Sequence, residues 1–450
     1  MPIVDLETYR SKLAGLNVLP FRGSVVRVAG LTVESKGPPV GVGQLCEIRL
    51  ADGRRVQAEV VGFQHSNRLL LPLESIDGIA PHDAVVARMQ PRSVIVGESL
   101  LGRVLDGLGR PIDGKGPLAG ERRCIENDAP APMRRKPITQ PLPLGIRSID
   151  GLITIGRGQR VGIFAGSGVG KSMLLGEIAR HSDADVNVVA LVGERGREVR
   201  EFIEQALGPE GLARSVVCVA TSDTSPIQRM KIAFMATAIA EHFRDEGRDV
   251  LFMMDSLTRF AHAQREIGLA AGEPPTTKGY CPSVFSLLPK LTERLGCAER
   301  GSITGIYTIL VEGDDLSDPV ADSVRSLLDG HIVLSRRLAE MGHYPAVDVP
   351  SSVSRLMTSI ACGEQQQAAR RMRAIITTHR EAEDLINIGA YARGSNPHID
   401  KAVELIGAVN QFLVQAMGER SSLAETVSRM KEITASWQFD LSRVEPTGEA

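Results

Sequence analysis

The pattern of apolar and polar positions divides the chain into three zones that follow a short N-terminal stretch. From about residue 21 to residue 92, short β-type runs such as Val25-Val26-Arg27-Val28 alternate with turns such as Asp52-Gly53, which predicts a small β-barrel or sandwich. From residue 93 to residue 361, apolar strands alternate with helical patterns, as in an α/β domain with a largely parallel sheet. From residue 362 onward, apolar residues such as Met372 and Ile375 recur at helical spacing, which predicts a helical C-terminal zone.

The first 20 residues form a separate segment. Leu6, Tyr9, Leu13 and Leu16 would share one face of a short amphipathic helix. The alternative is a frayed terminus whose apolar residues are incidental.

Composition narrows the class of protein. A chain of 450 residues is too long for one core, and its 43% apolar and 24% charged residues are ordinary for globular proteins. A formal net charge of −2 gives no global sign of nucleic-acid binding. The six cysteines lie too far apart for a metal site, so buried reduced thiols are expected. No signal peptide or membrane-length apolar run is found, which predicts a cytosolic protein that reaches a membrane only through partners.

The most specific pattern is a glycine-rich loop at residues 165–172, which reads Ala-Gly-Ser-Gly-Val-Gly-Lys-Ser and follows a short apolar run. A strand that enters such a loop, followed by a helix, directs consecutive backbone N–H groups at one point, where a phosphate can bind. Ala165 stands where the strict pattern has Gly, but this position only begins the turn and accepts a negative φ. The predicted phosphate-binding residues are Gly166, Ser167, Gly168, Val169, Gly170, Lys171 and Ser172, with the Ser172 hydroxyl on Mg²⁺.

Two acidic residues follow predicted core strands of the same zone. In α/β sheets, ligands bind beyond the carboxyl ends of the strands. Glu194 is therefore expected to polarise the water that attacks a γ-phosphate, and Asp255 to hold Mg²⁺. Each residue also has a plainer interpretation. Glu194 would form a surface ion pair with Arg195 or Arg197. Asp255 would have no special role, because a single acid after an apolar strand is common in any α/β protein.

Two further residues are candidates from their loops. Arg355 is a candidate arginine finger, which would stabilise transition-state charge on the nucleotide of a neighbouring subunit. Tyr344, held next to Pro345, is a candidate to stack on adenine. Alternatively, Arg355 is one more surface cation among the 52 Lys and Arg residues, and Tyr344 is a loop tyrosine that packs on the edge of the domain.

Several motifs in one order resemble the P-loop ATPases of the rotary ATP-synthase type over nearly the full length of the chain. Besides the phosphate loop and Gly193-Glu194-Arg195, they are Leu101-Gly102-Arg103-Val104-Leu105-Asp106-Gly107-Leu108-Gly109-Arg110-Pro111, Gly301-Ser302-Ile303-Thr304, Asp314-Asp315-Leu316-Ser317-Asp318-Pro319 and Tyr344-Pro345-Ala346-Val347-Asp348. The resemblance implies an α/β fold: a RecA-like P-loop nucleotide-binding domain (93–361) with an N-terminal β-barrel (21–92), a helical C-terminal domain (362–450) and an N-terminal partner-binding segment (1–20).

Within that group, the chain resembles the type III protein-export branch. The features that match this branch are Ala165, Glu383-Asp384-Leu385-Ile386-Asn387-Ile388-Gly389-Ala390-Tyr391 and Gly272-Glu273-Pro274-Pro275-Thr276-Thr277-Lys278-Gly279-Tyr280. The implied function is Mg-dependent ATP hydrolysis that energises export of flagellar proteins, and the alternative within the branch is the ATPase of a virulence-type injectisome.

The resemblance also implies roles for single residues. Glu194, Lys171, Arg195 and Arg355 would be catalytic, Ser172 and Asp255 would hold Mg²⁺, and Tyr344 would contact the adenine of ATP. Because one chain carries both Glu194 and Arg355, a homohexameric ring is expected. Tyr391 or Phe412 is proposed as the second residue beside the adenine.

The partners expected come from the resemblance alone. They are a regulatory stator-like protein at the N-terminus, a central stalk protein, and the export gate, chaperones and secreted substrates, with the ring peripheral at the cytoplasmic face of the inner membrane. Nucleic acid is not expected, because an RNA translocase of the transcription-terminator type needs an RNA-binding face and the barrel zone offers few aromatics, Phe21 and Phe63. A purely structural nucleotide-binding subunit is disfavoured by the combination of Glu194 and Lys171.

Overall fold

A computed structural model describes residues 22–88, 92–311 and 318–437. The chain divides into two compact units. Among the described residues, the first unit takes in those up to residue 93 together with 224–228 and 263–283, and the second takes in the others. The predicted N-terminal partner-binding segment lies outside the described residues, and the domain limits expected from the sequence stay a prediction.

The first unit contains a closed antiparallel barrel with the strand order β1-β2-β5-β4-β3-β6. Alternate residues of its strands, among them Val33, Ile48, Val60 and Leu70, are fully buried inside it, as expected where one face of each strand points inward. The predicted small β-domain is therefore a barrel and not a sandwich. Its strands are β1 (Arg22–Ala29), β2 (Thr32–Lys36), β3 (Leu45–Arg49), β4 (Arg55–Gln64), β5 (Asn67–Pro72) and β6 (Ala84–Arg88).

The second unit is built on a sheet with the order β17-β16-β10-β15-β13-β11-β12-β8, with β14 paired to β15. Its central strands are all parallel, and β11, β13 and β15 are apolar and buried almost throughout, because helices cover both faces of such sheets. A separate pair is formed by β7 and β9. The strands are β7 (Ser93–Val96), β8 (Arg103–Asp106), β9 (Glu121–Cys124), β10 (Arg160–Ala165), β11 (Val186–Glu194), β12 (Ser215–Thr221), β13 (Asp249–Asp255), β14 (Gly296–Cys297), β15 (Ser302–Leu310), β16 (Gly330–Leu334) and β17 (Val353–Ser354).

Helices alternate with these strands, and the described elements that follow β17 are all helices. The predicted α/β class and the helical C-terminal zone are both confirmed. The helices are α1 (Arg147–Leu152), α2 (Lys171–His181), α3 (Gly196–Glu201), α4 (Gly208–Ala213), α5 (Pro226–Asp245), α6 (Leu257–Ala270), α7 (Pro282–Thr292), α8 (Pro319–Leu327), α9 (Arg336–Glu340), α10 (Met357–Ile360), α11 (Gly363–Asn387), α12 (Pro397–Leu413) and α13 (Leu423–Thr434), with a π-helical turn at Phe202–Leu207 and 3₁₀ turns at Glu98–Leu100, Pro132–Arg134 and Thr277–Gly279. Across the described ranges, no helix combines the length and apolar character that crossing a membrane requires.

The domain built on the parallel sheet and the C-terminal helices share one hydrophobic core. Residues of α1, such as Ile149 and Leu152, are buried in the same cluster as Met372 of α11, Phe412 of α12 and Met430 of α13. The C-terminal helices are therefore packed directly against α1, which precedes the first central strand of the sheet.

The cysteines are only partly as expected. Cys46, Cys218 and Cys281 are buried free thiols, and burial raises the pKa of Cys46 to about 11. Cys362 is exposed, so the expectation of burial is wrong for this residue, which lies where the chain enters α11.

Close packing of α2 depends on a residue without a side chain. A Cβ atom at Gly176 would lie 2.6 Å from the carbonyl carbon of Ala206 in the π-helical turn. Because backbone cannot yield as a flexible side chain does, Gly176 allows α2 to approach this turn and sets the position of the helix that follows the glycine-rich loop.

We predict that Gly176→Ala lowers the free energy of unfolding by about 1–3 kcal/mol, because the added methyl overpacks the contact with Ala206. The matched control is Gly407→Ala in α12, where a Cβ would meet nothing within 4 Å. It should leave stability unchanged or raise it by up to about 1 kcal/mol, since Ala is the better helix former. Urea or thermal unfolding measures both, and equal midpoints for the two variants would contradict the prediction.

Candidate functional site

The glycine-rich loop joins β10 to α2 at the carboxyl edge of the sheet. Ala165 is the last residue of β10 and is buried, so its extended backbone suits any residue, as the sequence predicted. Gly168 and Gly170 have φ of 80° and 83°, which L side chains rarely adopt. Gly170 is the N-cap of α2, so the free N–H groups of the first helical turn open onto the loop, as phosphate binding requires.

Three charged residues meet beside this loop. Lys171 Nζ forms an ion pair with the carboxylate of Asp255 and lies 4.0 Å from Glu194 Oε1. The Lys171 side chain is only 12% exposed, so its charge is poorly hydrated and depends on these partners. Thr308 Oγ1 donates to Asp255 Oδ1 at 2.7 Å and orients that carboxylate. The sequence-predicted residues Lys171, Glu194 and Asp255 are therefore in one cluster.

The environment of Glu194 favours its protonated form. Burial is the largest cause and, with the nearby Asp255 carboxylate, raises the pKa of Glu194 to about 7. The protonated carboxyl donates a hydrogen bond to Glu198, whose pKa is held below its usual range mainly by this bond. Lys171 and Arg259 act in the opposite direction on Glu194. A carboxyl with a pKa near 7 is suited to accept a proton at physiological pH.

Glu198 and Arg259 were not predicted from the sequence as site residues. Arg259 packs against Gly193, where a Cβ would lie 3.2 Å from the Arg259 Cβ. Arg259 lies in the first turn of α6, directly after β13 ends at Asp255, and this place at the carboxyl end of a parallel strand is the signal that could have found it.

The surface ion pair considered for Glu194 is not formed. Arg195 Nη1 lies 3.8 Å from Glu198 Oε1, and Arg197 pairs with Glu201 at 2.7 Å. Arg195 is the N-cap of α3 and its side chain is 78% exposed, so it stands at the rim of the cluster.

A cavity of about 510 Å³ opens on the other side of the glycine-rich loop. Tyr344 lies at this cavity, half exposed, and its ring packs on the loop: a Cβ at Gly170 would lie 3.3 Å from it. An apolar slot beside the phosphate-binding loop, with one aromatic face available, fits a nucleotide base. The residues that line the cavity are Ile146, Gly168, Val169, Gly170, Met173, Leu174, Glu177, Leu334, Gly342, Tyr344, Pro345, Ala346, Val414, Gln415, Ala416 and Met417.

The second wall of this cavity comes from the connection between α12 and α13, which we call the 414–419 segment. Neither candidate proposed from the sequence lines the cavity. Phe412 is fully buried in the core, and the Tyr391 hydroxyl donates to the Asn396 carbonyl at 2.9 Å in the α11–α12 connection. Met417, which is largely exposed, lies at this wall instead.

Arg355 lies apart from the charged cluster. It follows β17 at one edge of the sheet and is exposed, and its Nη2 donates to the Arg325 carbonyl at 3.1 Å. It does not line the cavity beside the loop. A role in hydrolysis would therefore be exerted on the site of another subunit.

The oxygen atoms near Lys171 suit a magnesium ion carried by phosphates. Ser172 presents its hydroxyl in the first turn of α2, and both hydrogen-bonded contacts of the Asp255 carboxylate use Oδ1. Within residues 22–88, 92–311 and 318–437, no group of three or more His, Cys, Asp or Glu side chains could hold a metal ion by itself. Mg²⁺ typically needs only one or two protein oxygens when phosphates and water complete its shell.

These features define a P-loop nucleotide-binding domain. Residues 145–354 match the nucleotide-binding domain of the ATP synthase alpha/beta family, and residues 25–89 match the β-barrel domain of the same family. Residues 362–432 match the C-terminal domain of the type III secretion ATPase EscN.

Whole-length relatives agree with these matches. The chain is 54% identical to the flagellum-specific ATP synthase of Bacillus subtilis over 92% of this chain and 95% of that protein, and 51% identical to the type 3 secretion system ATPase of Xanthomonas euvesicatoria over 95% and 97%. The chain therefore belongs to the family of flagellum-specific ATP synthases and type 3 secretion system ATPases.

Two solved structures of one ATPase have the same fold. The assembled ATPase EscN of the enteropathogenic E. coli type III secretion system superposes with a TM-score of 0.87 at 44% identity, over 92% of this chain and 100% of EscN. EscN in complex with its central stalk EscO gives a TM-score of 0.84 at 43% identity over the same shares of the two chains.

We predict that kcat/KM for ATP falls as pH is lowered through about 7, because Glu194 is raised to that pKa and a protonated carboxyl accepts no proton from water. Glu198→Gln removes the carboxylate that accepts the hydrogen bond of protonated Glu194. The pKa of Glu194 should therefore fall, and the inflection of the pH profile should move to lower pH. Glu201→Gln on the same helix, whose partner is Arg197, should leave the inflection in place. A flat profile between roughly pH 5.5 and 8.5 would contradict this role for Glu194.

Proposed function

We propose that the protein is the subunit of a ring ATPase that hydrolyses ATP and thereby energises type III export of flagellar proteins across the inner membrane. The observation that carries the proposal is the position of Lys171 Nζ beside the carboxylates of Asp255 and Glu194 at the phosphate-binding loop. Membership in a family whose named members are ATP synthases and secretion ATPases supports the same reaction class.

The residues divide the work of phosphoryl transfer. The backbone N–H groups of 166–170 and the Lys171 ammonium bind the phosphates, and Tyr344 stacks on the adenine. Glu194, in its ionised form, orients the water that attacks the γ-phosphate and accepts its proton. Arg195 at the rim and Arg355 from a neighbouring subunit stabilise the charge that develops in the transition state.

Mg²⁺ fits the same site. Ser172 and Asp255 would hold it, directly or through water. When bound, the ion neutralises charge on the β- and γ-phosphates and aligns them for transfer. The Lys171 ammonium then has phosphate oxygens as an alternative to Asp255.

The ring follows from the separation of Glu194 and Arg355 within one chain. Since Arg355 is exposed and away from the cluster of its own subunit, each subunit would complete the site of its neighbour. A homohexamer is the closed ring that we infer, and the EscN structure, which is of an assembled ATPase, supports assembly.

Partners follow from the same function. A central stalk protein would occupy the ring, as EscN is found in complex with its central stalk EscO. A stator-like regulatory protein would bind the N-terminal segment, secreted substrates and their chaperones would dock near the helical C-terminal domain, and the export gate would be a further partner. The ring would then be cytoplasmic and peripheral at the cytoplasmic face of the inner membrane. Export through a virulence-type injectisome is the second candidate, because a type 3 secretion system ATPase is nearly as similar, at 51% identity, as the flagellar relative, at 54%.

We predict that Lys171→Ala weakens ATP binding by about a hundredfold or more, because the phosphates lose their charge-assisted hydrogen bonds to the ammonium. Titration with a fluorescent ATP analogue measures the affinity. Lys290→Ala, which removes an exposed lysine of α7, is the control and should bind as the unmodified protein does. Retained affinity in Lys171→Ala would contradict the assignment of this loop.

We predict that Arg355→Ala leaves ATP binding intact and removes most hydrolysis, whereas Arg325→Ala, a neighbouring exposed arginine, retains it. Mixing Arg355→Ala with an inactive Glu194→Gln chain should restore part of the activity, because some interfaces then combine an intact Glu194 with an intact Arg355. Phosphate release at high protein concentration is the measurement. If no mixing ratio restores activity, the site is not shared between subunits.

A further inference from the structure

We propose that Gln415 is a positioning residue for the nucleotide: it holds the 414–419 segment, the second wall of the base cavity, in the place where a base can bind. The proposal rests on the proposed function, since it assigns a role within the ATP site. It concerns the affinity for the base and ribose, and leaves the chemistry at the phosphates to the residues already described.

Gln415 uses both ends of its side-chain amide, although it is only 7% exposed. Its Oε1 accepts the backbone N–H of Arg147 at 2.9 Å. Its Nε2 donates to the carbonyl of Gly145 at 2.7 Å and to the carbonyl of Glu419. A buried amide with its donor and acceptor satisfied by separate chain segments fixes those segments relative to one another.

The backbone of Gln415 also joins the two walls of the cavity. Its N–H donates to the carbonyl of Tyr344 at 2.8 Å. Tyr344 and Met417 both line the base cavity, and Gln415 lies two residues before Met417. The hydrogen bond at Gln415 therefore links the 414–419 segment directly to the loop that carries Tyr344.

Arg147 supports the same segment from the nucleotide domain. From α1, its Nε donates to the Phe412 carbonyl at 2.8 Å and its Nη2 donates to the Val414 carbonyl at 2.5 Å. Its Nη1 pairs with the Glu419 carboxylate, and this hydrogen bond is the main cause that lowers the pKa of Glu419. The 414–419 segment is thus held at both ends, and Gln415 lies between these attachments.

A third attachment comes from the helix that carries the phosphate-binding lysine. Glu177 Oε2 accepts the backbone N–H of Gly418 at 3.0 Å. Glu177 lies on α2, six residues after Lys171, and lines the base cavity. The 414–419 segment therefore contacts α2, the helix that begins at Lys171, through Gly418, the residue that follows Met417.

The physical effect of these attachments is preorganisation. A connection of irregular backbone that is free to move loses conformational entropy when a ligand orders it, and that loss weakens binding. A segment that is ordered before binding avoids the loss. Removing the Gln415 amide should therefore weaken nucleotide binding, whereas the hydrolysis step, which takes place at Lys171 and Glu194, should proceed at its usual rate.

A matched glutamine separates this role from a general effect on folding. Gln365 on α11 is 2% exposed, and its Nε2 donates to the Asp150 carbonyl at 2.9 Å and to Thr154 Oγ1 at 2.8 Å. It joins the C-terminal helices to α1 by the same chemistry but does not line the base cavity. Gln365→Leu should therefore cost stability without changing the affinity for ATP.

The experiment compares Gln415→Leu with Gln365→Leu in the full-length chain, with steady-state ATP hydrolysis and binding of a fluorescent ATP analogue as readouts. In Gln415→Leu, we expect KM and the dissociation constant to rise about tenfold, and kcat to stay within about twofold of the value of the unmodified protein. In Gln365→Leu, KM and the dissociation constant should both stay within about twofold of those values. The proposal is overturned if Gln415→Leu keeps the original KM, if it lowers kcat alone, or if Gln365→Leu raises KM equally.

Inorganic tripolyphosphate, which has no base or ribose, provides a second readout. As a competitor it should bind Gln415→Leu as tightly as the unmodified protein, because it does not reach the 414–419 segment. Equal weakening of tripolyphosphate and ATP would overturn the proposal. Should Gln415→Leu fail to fold, Gln415→Met replaces it, since the unbranched side chain keeps nearly the same length and lacks both the Nε2 donor and the Oε1 acceptor. Absence of hydrolysis in the unmodified protein would instead contradict the proposed function.

Discussion

The whole site depends on one buried ammonium group that requires anionic partners. Lys171 is shielded from water, and Asp255 provides the negative charge that it needs, with Glu194 Oε1 4.0 Å away; a buried charge left without its partner is strongly destabilising. The parallel sheet makes this meeting possible, because β10, β13 and β11 all end at the same edge. In the proposed function, phosphates compete for the same ammonium, so nucleotide binding would be linked to the charge balance of the two carboxylates.

The nucleotide cavity belongs to two parts of the fold at once. Its phosphate end is built by β10 and α2, and its base end is completed by the 414–419 segment between two C-terminal helices. Gln415, Arg147 and Glu177 attach that segment to the nucleotide domain. Binding at two coupled sites is reciprocal. A partner that bound the 414–419 segment and changed the affinity for the nucleotide would therefore have its own affinity changed by the nucleotide by the same factor.

In the proposed ring, Glu194 and Arg355 would form the two complementary faces of a shared site. Glu194 is shielded beside the loop, with its pKa raised to about 7 by burial and by Asp255. Arg355 is exposed at the edge that carries β17, where its charge is available to another chain. A subunit that carries one group shielded beside the loop and the other exposed at a sheet edge is suited to the proposed ring of identical chains.

The sequence by itself determined the local features: the glycine-rich loop from its residue types, the strands from their apolar runs, and the helical C-terminal zone from its periodicity. It also indicated Glu194 and Asp255, because acids that follow parallel strands share one sheet edge. Only the tertiary structure decided that Glu194 faces Lys171 and not Arg195 or Arg197, since local spacing leaves both pairings open. It alone identified Met417 and Gln415 over Tyr391 and Phe412, because contacts between residues far apart in the chain leave no periodic signal. The buried Phe412 and the hydrogen-bonded Tyr391 hydroxyl show that an aromatic residue type does not determine whether packing, a turn or a ligand uses it.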